Sequence, residues 1–361
     1  MEKDFRFNME EAAGALGDFG TLLPIVIGVS VATDMNLAVM LLFFGIAYLF
    51  TGIHYKLPMP VEPMKAIGVI ALTERLSAAE IAGAGIGMGL VLLLIALTGA
   101  MDFIKRSIPI ALIRGIQLAL ALTLMRQAMV MMRYDFILGA LAMGIIFYYR
   151  FSRHLDVSAL MVFLLGIIVG LFRFGPPPVT LMRLPALTLP DFPSFISGFT
   201  KASLPQIPLT LGNAVLATSL LISDLLDRQV QEKQLLYSMS AMCLFSVPFG
   251  GFPMCHGAGG LAAQYRFGAR TGGSNIISGF VLIVIALLFA SPHLEMVIPF
   301  GALGALLFYS GLALFQTARK TPDLAATLLT GILSLFLGIT WSLFIVWVWI
   351  IVRKKWNAER G

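Results

Sequence analysis

Apolar runs follow one another along almost the whole chain, each bounded by charges or by clusters of proline and glycine. They predict membrane spans at 12-31, 37-53, a broken one at 57-73, 81-104, 108-126, 135-150 and 156-175. A proline-rich connection from Gly175-Pro176-Pro177-Pro178 to Pro205 leads to a second set at 204-223, 235-249, a second broken one at 253-266, 276-291, 296-316, 322-337 and 339-352. Several runs fall short of the ~20 residues that a straight bilayer-spanning helix needs, so their ends are soft. The pattern predicts an all-α polytopic membrane protein of seven plus seven spans: a first repeat (1-175), an extracytoplasmic connection (176-203) and a second repeat (204-361), in a single membrane domain. A repeated spacing supports the division. Gly17-Asp18 precedes Pro58-Met59 by 41 positions, Gly212-Asn213 precedes Pro253-Met254 by the same 41, and the two sets are offset by 195.

Composition agrees with the pattern. Of the 361 residues 58% are hydrophobic and 12% charged, against roughly 25% charged in soluble domains. Sorting the 25 Lys and Arg with the amino terminus in the cytoplasm puts seventeen inside, among them Lys105, Arg106, Arg153, Arg266 and Arg319, six outside, and Lys65 and Arg114 within spans. That bias follows the positive-inside rule and supports the span count, because one missing span would invert every later loop. With an odd number of spans in each half, the second half lies upside down relative to the first, so the repeat is an inverted one. Both termini are then expected in the cytoplasm, and the net charge of +6 marks cytoplasmic loops; no basic run with interleaved aromatics outside the spans points to nucleic acid. Residues 1-11 are charged and amphipathic, unlike a cleaved signal peptide. Two cysteines, Cys243 and Cys255, give neither a disulfide framework nor metal-ligand spacing.

The chemistry concentrates at the two breaks. Pro58, Pro60 and Pro63 predict an extended Pro58 to Val61 and a helix that begins only near Pro63, and Gly250-Gly251-Phe252-Pro253 predicts its counterpart before a helix running to about Phe267. These half-helices occupy spans 3 and 10. Under inverted topology they enter from opposite faces, so their unpaired N–H groups and positive dipole ends meet near the bilayer centre, which favours an anion. Backbone amides of Met64-Lys65 and His256-Gly257 form the expected cradle, helped by Thr21 and Asn213. Lys65 either pairs with Glu62 or Asp18 or contacts substrate, since an unpaired charge at that depth costs ~2.5 to 3.5 kcal/mol. Asp18 and Glu62 are candidates for charge compensation or proton relay. Asn213, opposite Asp18 in the repeat, keeps a polar side chain without the charge. Gly83, Gly85, Gly87 and Gly89 read as a packing surface rather than a phosphate loop. No metal, cofactor or catalytic group is indicated, and no HExxH arrangement supports an intramembrane enzyme.

Four stretches resemble the molybdate transporter family, a branch of the sulfate-permease-like superfamily: Glu11 to Pro24, Pro58 to Lys65, Gln206 to Thr210 with Asn213, Ser223 and Asp224, and Pro253 to Gly272. The resemblance implies two inverted seven-span repeats arranged as a core and a gate, the gate built from spans five to seven and twelve to fourteen. It further implies an oxyanion (molybdate, with sulfate or tungstate as related dianions) between the half-helices, dimerisation, and residence in the plasma (inner) membrane. Glu62 departs from the Gln expected in plant-like forms of the Pro58 motif. An acid beside a dianion requires a proton or the pairing with Lys65, which points to proton coupling. Glu62 also leaves open a nucleobase or bicarbonate transporter of the same fold, ahead of an anion channel.

Overall fold

A computed structural model describes residues 5–101, 103, 109–151, 158–182, 184–290 and 297–358. Of the charges used for orientation, Lys3, Lys105, Arg106, Arg153, Arg183 and Arg360 lie outside the described residues.

The amino-terminal helix is capped by Asn8, whose side chain accepts from the Glu11 amide, and it breaks at Asp18 into α1 (Met9–Gly17) and α2 (Phe19–Ala32), bent by 41°. Helix α3 (Leu37–Tyr55) follows an Asn36 cap and ends in a left-handed Lys56 at φ 56°. The extended segment behind it carries β1 (Glu62–Pro63) and leads into the ten-residue α4 (Lys65–Glu74). A capping box of Ser77 and Glu80 starts α5 (Ala78–Thr98). Helices α6 (Ile110–Tyr134), α7 (Phe136–Phe151) and α8 (Ser158–Phe174) complete the first half. The second half opens with α9 (Phe192–Leu226) and continues with α10 (Glu232–Ser246), β2 (Met254–Cys255), the nine-residue α11 (Ala258–Arg266), α12 (Gly273–Leu288), α13 (Phe300–Ala318), α14 (Leu324–Leu337) and α15 (Ile339–Ala358).

Among the described residues α3, α5, α6, α9 and α13 are each long and apolar enough to cross a bilayer, and α1 with α2 makes a sixth bent span. The apolar helices α7, α8, α12 and α14 are shorter. Helix α9 departs from expectation. It begins at Phe192, so residues 192–203, expected in the connection, are helical. Asp191 caps it by accepting from the Ser194 amide, and Pro193 sits in the first turn, where a missing N–H costs nothing. π-helical turns at Phe199–Ser203 and Thr210–Ala217 flank Pro205 and Pro208.

The helices pack as two groups. In one, α3 lies on α12 and α5 on α10 and the start of α9. Small residues allow the close approach: a Cβ on Gly45 would come 2.8 Å from the Gly279 carbonyl, and one on Gly279 2.7 Å from that of Gly45. The glycine string of α5 serves both of its flanks, since steps of two turn a helix by about 200°. Gly83 and Gly87 meet Phe195 and Phe199 of α9, whereas Gly85 and Gly89 meet Val247, Pro253 and Leu244. In the other group α13 lies along α6, with α7, α8 and α14 around that pair and α15 on α14. The groups meet where α2 contacts α13 and α4 contacts α6.

Buried Glu11 ties the first helix to the second half. Its carboxylate accepts from the amides of Arg270, Thr271 and Ser274 and from the Thr271 hydroxyl at 3.0 to 3.2 Å, which caps the start of α12.

Candidate functional site

The two breaks meet as a pair of strands. Prolines at 58, 60 and 63 lack the N–H that a helix would need and hold the backbone extended. β1 runs antiparallel to β2 with Glu62 opposite Cys255 and Pro63 opposite Met254, and the Met64 amide extends the pairing by donating to the Pro253 carbonyl at 2.9 Å. Helices α4 and α11 therefore start side by side.

Helix geometry leaves the first-turn amides of each without an intrahelical acceptor. In α4 the Ala66 amide is taken by Gln206 Oε1 of α9 at 2.8 Å, and Gln206 Nε2 donates onward to Thr210 Oγ1 at 2.8 Å. Gln206 is almost fully buried; the sequence marks it only within a stretch that carries the family resemblance, and its role as a cap depends on a partner 140 residues away. Replacing it with leucine is expected to destabilise the protein by about 1–3 kcal/mol through the orphaned Ala66 amide. An unchanged thermal midpoint in detergent would contradict that assignment. In α11 no side chain caps Gly257, and the amides of Ala258 and Gly259 precede the first intrahelical bond, from Gly260 to the Gly257 carbonyl at 3.1 Å.

The charged groups sit directly beside these helix starts. Lys65 Nζ lies 2.5 Å from Glu62 Oε2, which settles the pairing that the sequence left open. Asp18, at the break between α1 and α2, accepts from the Tyr48 hydroxyl of α3 at 2.5 Å and has its carboxyl within reach of that of Glu62. Among the described residues no donor reaches the other oxygens, Asp18 Oδ1 and Glu62 Oε1, although both are buried. Helix α11 passes so close that only glycine fits. A Cβ at Gly257 would collide with the Glu62 carboxylate, and one at Gly260 would come 2.5 Å from Asp18 Oδ1.

A cavity of about 280 Å³ opens at this junction, and Thr21, Glu62, Lys65 and Asn213 all line it, joined by Gly259 and Gln117. Arg266 and Thr317 stand along its wall at the far ends of α11 and α13. Four of the residues predicted from sequence are thus brought together. Four others lie behind the wall. Asp18 and Gly257 are buried against Glu62, as described above. Met64 is buried and its amide is engaged with Pro253, so the expected donation from Met64 is corrected: the strand pair takes it first. The His256 ring belongs to a different network, with Nδ1 2.8 Å from the Pro60 carbonyl and Nε2 2.7 Å from Ser238 Oγ, which in turn lies 2.7 Å from the Tyr55 hydroxyl. The His256 carbonyl accepts from Thr218 Oγ1 at 2.7 Å. That imidazole fastens the broken segment to α3 and α10 and leaves only the backbone at 256 for an anion. No cluster of three or more His, Cys, Asp or Glu suited to a metal occurs among the described residues.

Comparison with known proteins places this geometry. A family model described as a molybdate transporter of the MFS superfamily matches residues 10–124 and 198–314, segments that contain both strand-helix units. The chain is 31% identical over 370 residues to Molybdate transporter 2 of Arabidopsis thaliana, covering 86% of this chain and 78% of that protein. It is 30% identical over 374 residues to Molybdate transporter 1 of the same plant, covering 87% and 81%. Among solved structures, the transmembrane domain of a cyanobacterium bicarbonate transporter, BicA, superposes with a TM-score of 0.68 at 17% identity, covering 95% of this chain and 97% of that one. The murine anion transporter Slc26a9 in its inward-facing state gives 0.69 at 12% identity, covering 99% and 69%. These two share the fold. With the family match spanning more than half of the sequence and a relative 31% identical along most of it, the chain belongs to the molybdate transporter family and is a membrane transporter rather than an enzyme.

Proposed function

We propose that the protein is a secondary active transporter of molybdate, with tungstate and sulfate as related substrates, and that the dianion binds between the starts of α4 and α11. The observation that carries this reading is the cavity at the β1–β2 pair, where two helix N-termini, the Lys65–Glu62 pair, Thr21 and Asn213 converge on one small space. Helix starts favour anions through their free amides and dipoles, and hydroxyl and carboxamide groups supply further donors. In this reading α1–α8 and α9–α15 are inverted repeats, and α4 and α11 are half-helices that start near the membrane midplane. The α3/α5/α10/α12 group acts as the core and the α6/α13 group as the gate. The cavity runs toward Arg266 and Thr317, the end that the positive-inside bias puts in the cytoplasm, so the conformation is inward-facing.

Charge counting supports proton coupling. Asp18 and Glu62 carry two negative charges beside the cation of Lys65, a dianion adds two more, and the other cation lining the cavity, Arg266, stands away from them at the far end of α11. Repulsion of that size is relieved when protons bind to the carboxyls, each of which has one oxygen with no donor among the described residues. The groups facing Asp18 are Tyr48, Glu62 and Lys65. Uptake is therefore expected to rise as the outside pH falls. Asp18→Asn keeps an acceptor for Tyr48 and is expected to flatten that dependence; a proteoliposome assay in which it retains the wild-type pH profile would remove Asp18 from the coupling path.

The substrate is tested by titrating purified protein with molybdate, tungstate and sulfate across pH, with bicarbonate and uracil as competitors. Saturable molybdate binding displaced by tungstate and sulfate is expected. Displacement by uracil or bicarbonate at lower concentration than by sulfate would assign the site to another substrate.

A further inference from the structure

Arg114 is a charge within a membrane span, and its partners define a substrate contact on the gate. One turn along α6 lies Gln117, 2% exposed and lining the cavity opposite Lys65 and Asn213. Arg114 Nη1 lies 3.0 Å from Gln117 Oε1, and its Nε donates to the Lys320 carbonyl beyond α13 at 3.1 Å. A guanidinium has donors only, so the carboxamide oxygen must face it. The Gln117 NH₂ group bonds no protein group among the described residues and is the end left for the cavity. Ser310, on the facing helix α13, has its hydroxyl engaged with the Leu306 carbonyl at 3.1 Å.

We propose that Gln117 is a substrate-contacting, specificity-determining residue contributed by the gate, and that Arg114 is the positioning residue that turns it into a pure donor. The inference rests on the oxyanion reading of the cavity and adds the wall facing the helix starts. An anion held by the core amides then also bonds a residue of α6, which links occupancy of the site to closure of gate on core. The device discriminates by protonation state. Molybdate, tungstate and sulfate offer only acceptors, which two carboxamide N–H groups satisfy. Hydrogen phosphate and bicarbonate carry a hydroxyl that needs an acceptor, and the one Gln117 could supply is held by Arg114. On the core side Glu62 is protonated in the proposed cycle when substrate is bound, while the Thr21 and Asn213 oxygens remain as neutral acceptors, so the preference is a graded one.

The test is molybdate binding to purified full-length protein, with hydrogen phosphate as competitor. Gln117→Met and Gln117→Glu both remove the donors, the second with an isosteric side chain that keeps the contact to Arg114. Each is expected to raise the molybdate Kd roughly tenfold or more, the scale of one hydrogen bond to a charged acceptor. Arg114→Met frees the carboxamide to rotate, and it is expected to lower the molybdate-over-phosphate preference several-fold while adding nothing in the double variant with Gln117→Met. Gln117→Glu that folds and keeps the wild-type Kd overturns the proposal. So does an Arg114→Met effect that persists in full without Gln117, because Arg114 would then act on stability alone. Failure of the wild type to bind any tetrahedral dianion would overturn the proposed function and this inference together, whereas wild-type binding with unaltered variants overturns the inference alone.

Discussion

Lys65→Met is expected to abolish molybdate uptake and to destabilise the protein by roughly 3–5 kcal/mol, the cost of leaving a buried charge without its partner. The lysine is the single cation beside two carboxyls, Glu62 and Asp18, and its ammonium is 2.5 Å from Glu62 while only 13% of its side chain is exposed. Removing it strands negative charge where helix starts and an incoming dianion must also fit. Stability and transport are separable by a second change. In Lys65→Met with Glu62→Gln both members of the pair are neutral, so the thermal midpoint is expected to recover most of its loss while uptake stays absent. A single Lys65→Met protein that folds and transports at the wild-type rate would show that the cation is structural ballast and would remove it from the substrate site.

The second large effect is expected from two glycines two positions apart on one half-turn. A Cβ at Gly257 overlaps the Glu62 carboxylate and comes 3.2 Å from Lys65 Nζ, so Gly257→Ala forces the ion pair apart; a cost of about 1–3 kcal/mol and at least a tenfold loss of uptake are expected. Gly259 is different. A Cβ there meets nothing within 4 Å, yet the residue lines the cavity, so Gly259→Ala is expected to keep or slightly raise stability and to weaken oxyanion binding by crowding the anion. Thermal midpoints and molybdate titrations on both variants distinguish the roles. Equal loss of stability in the two would contradict the assignment of Gly257 to the ion pair and of Gly259 to the cavity.

The parts of this protein that local sequence controls were legible from it. Three prolines within six positions at 58–63 and the glycine-proline run at 250–253 dictate breaks, and the structure has a two-residue strand and a short helix after each. The spacing of the glycines in α5 announces a packing surface. What local rules say about prolines also misled at α9. Pro193 and Pro205 read as the proline-rich connection and its end, but a capped first turn and two π-helical turns absorb them, with Pro208, into one helix of 35 residues. The pairing of β1 with β2 joins residues nearly two hundred positions apart, and no short-range pattern encodes its register. For the same reason Tyr48 and Gln117 carried no local signal, and Gln206 only its place in a stretch of family resemblance, since each acquires its role from a neighbour brought in by tertiary packing. His256 shows the converse case. It stands beside the helix start as its position required, but Pro60 and Ser238 claim both ring nitrogens, which only the folded chain reveals.

The most direct measurement is an experimental structure of the purified protein with tungstate, whose heavy metal centre marks the anion without ambiguity. The expected result is one strong peak in the cavity within hydrogen-bonding reach of the Gly259 amide, with Thr21, Lys65, Asn213 and Gln117 around it. A peak elsewhere in the protein, or a cavity left empty at saturating tungstate, would contradict the claim that the paired helix starts form the transport site.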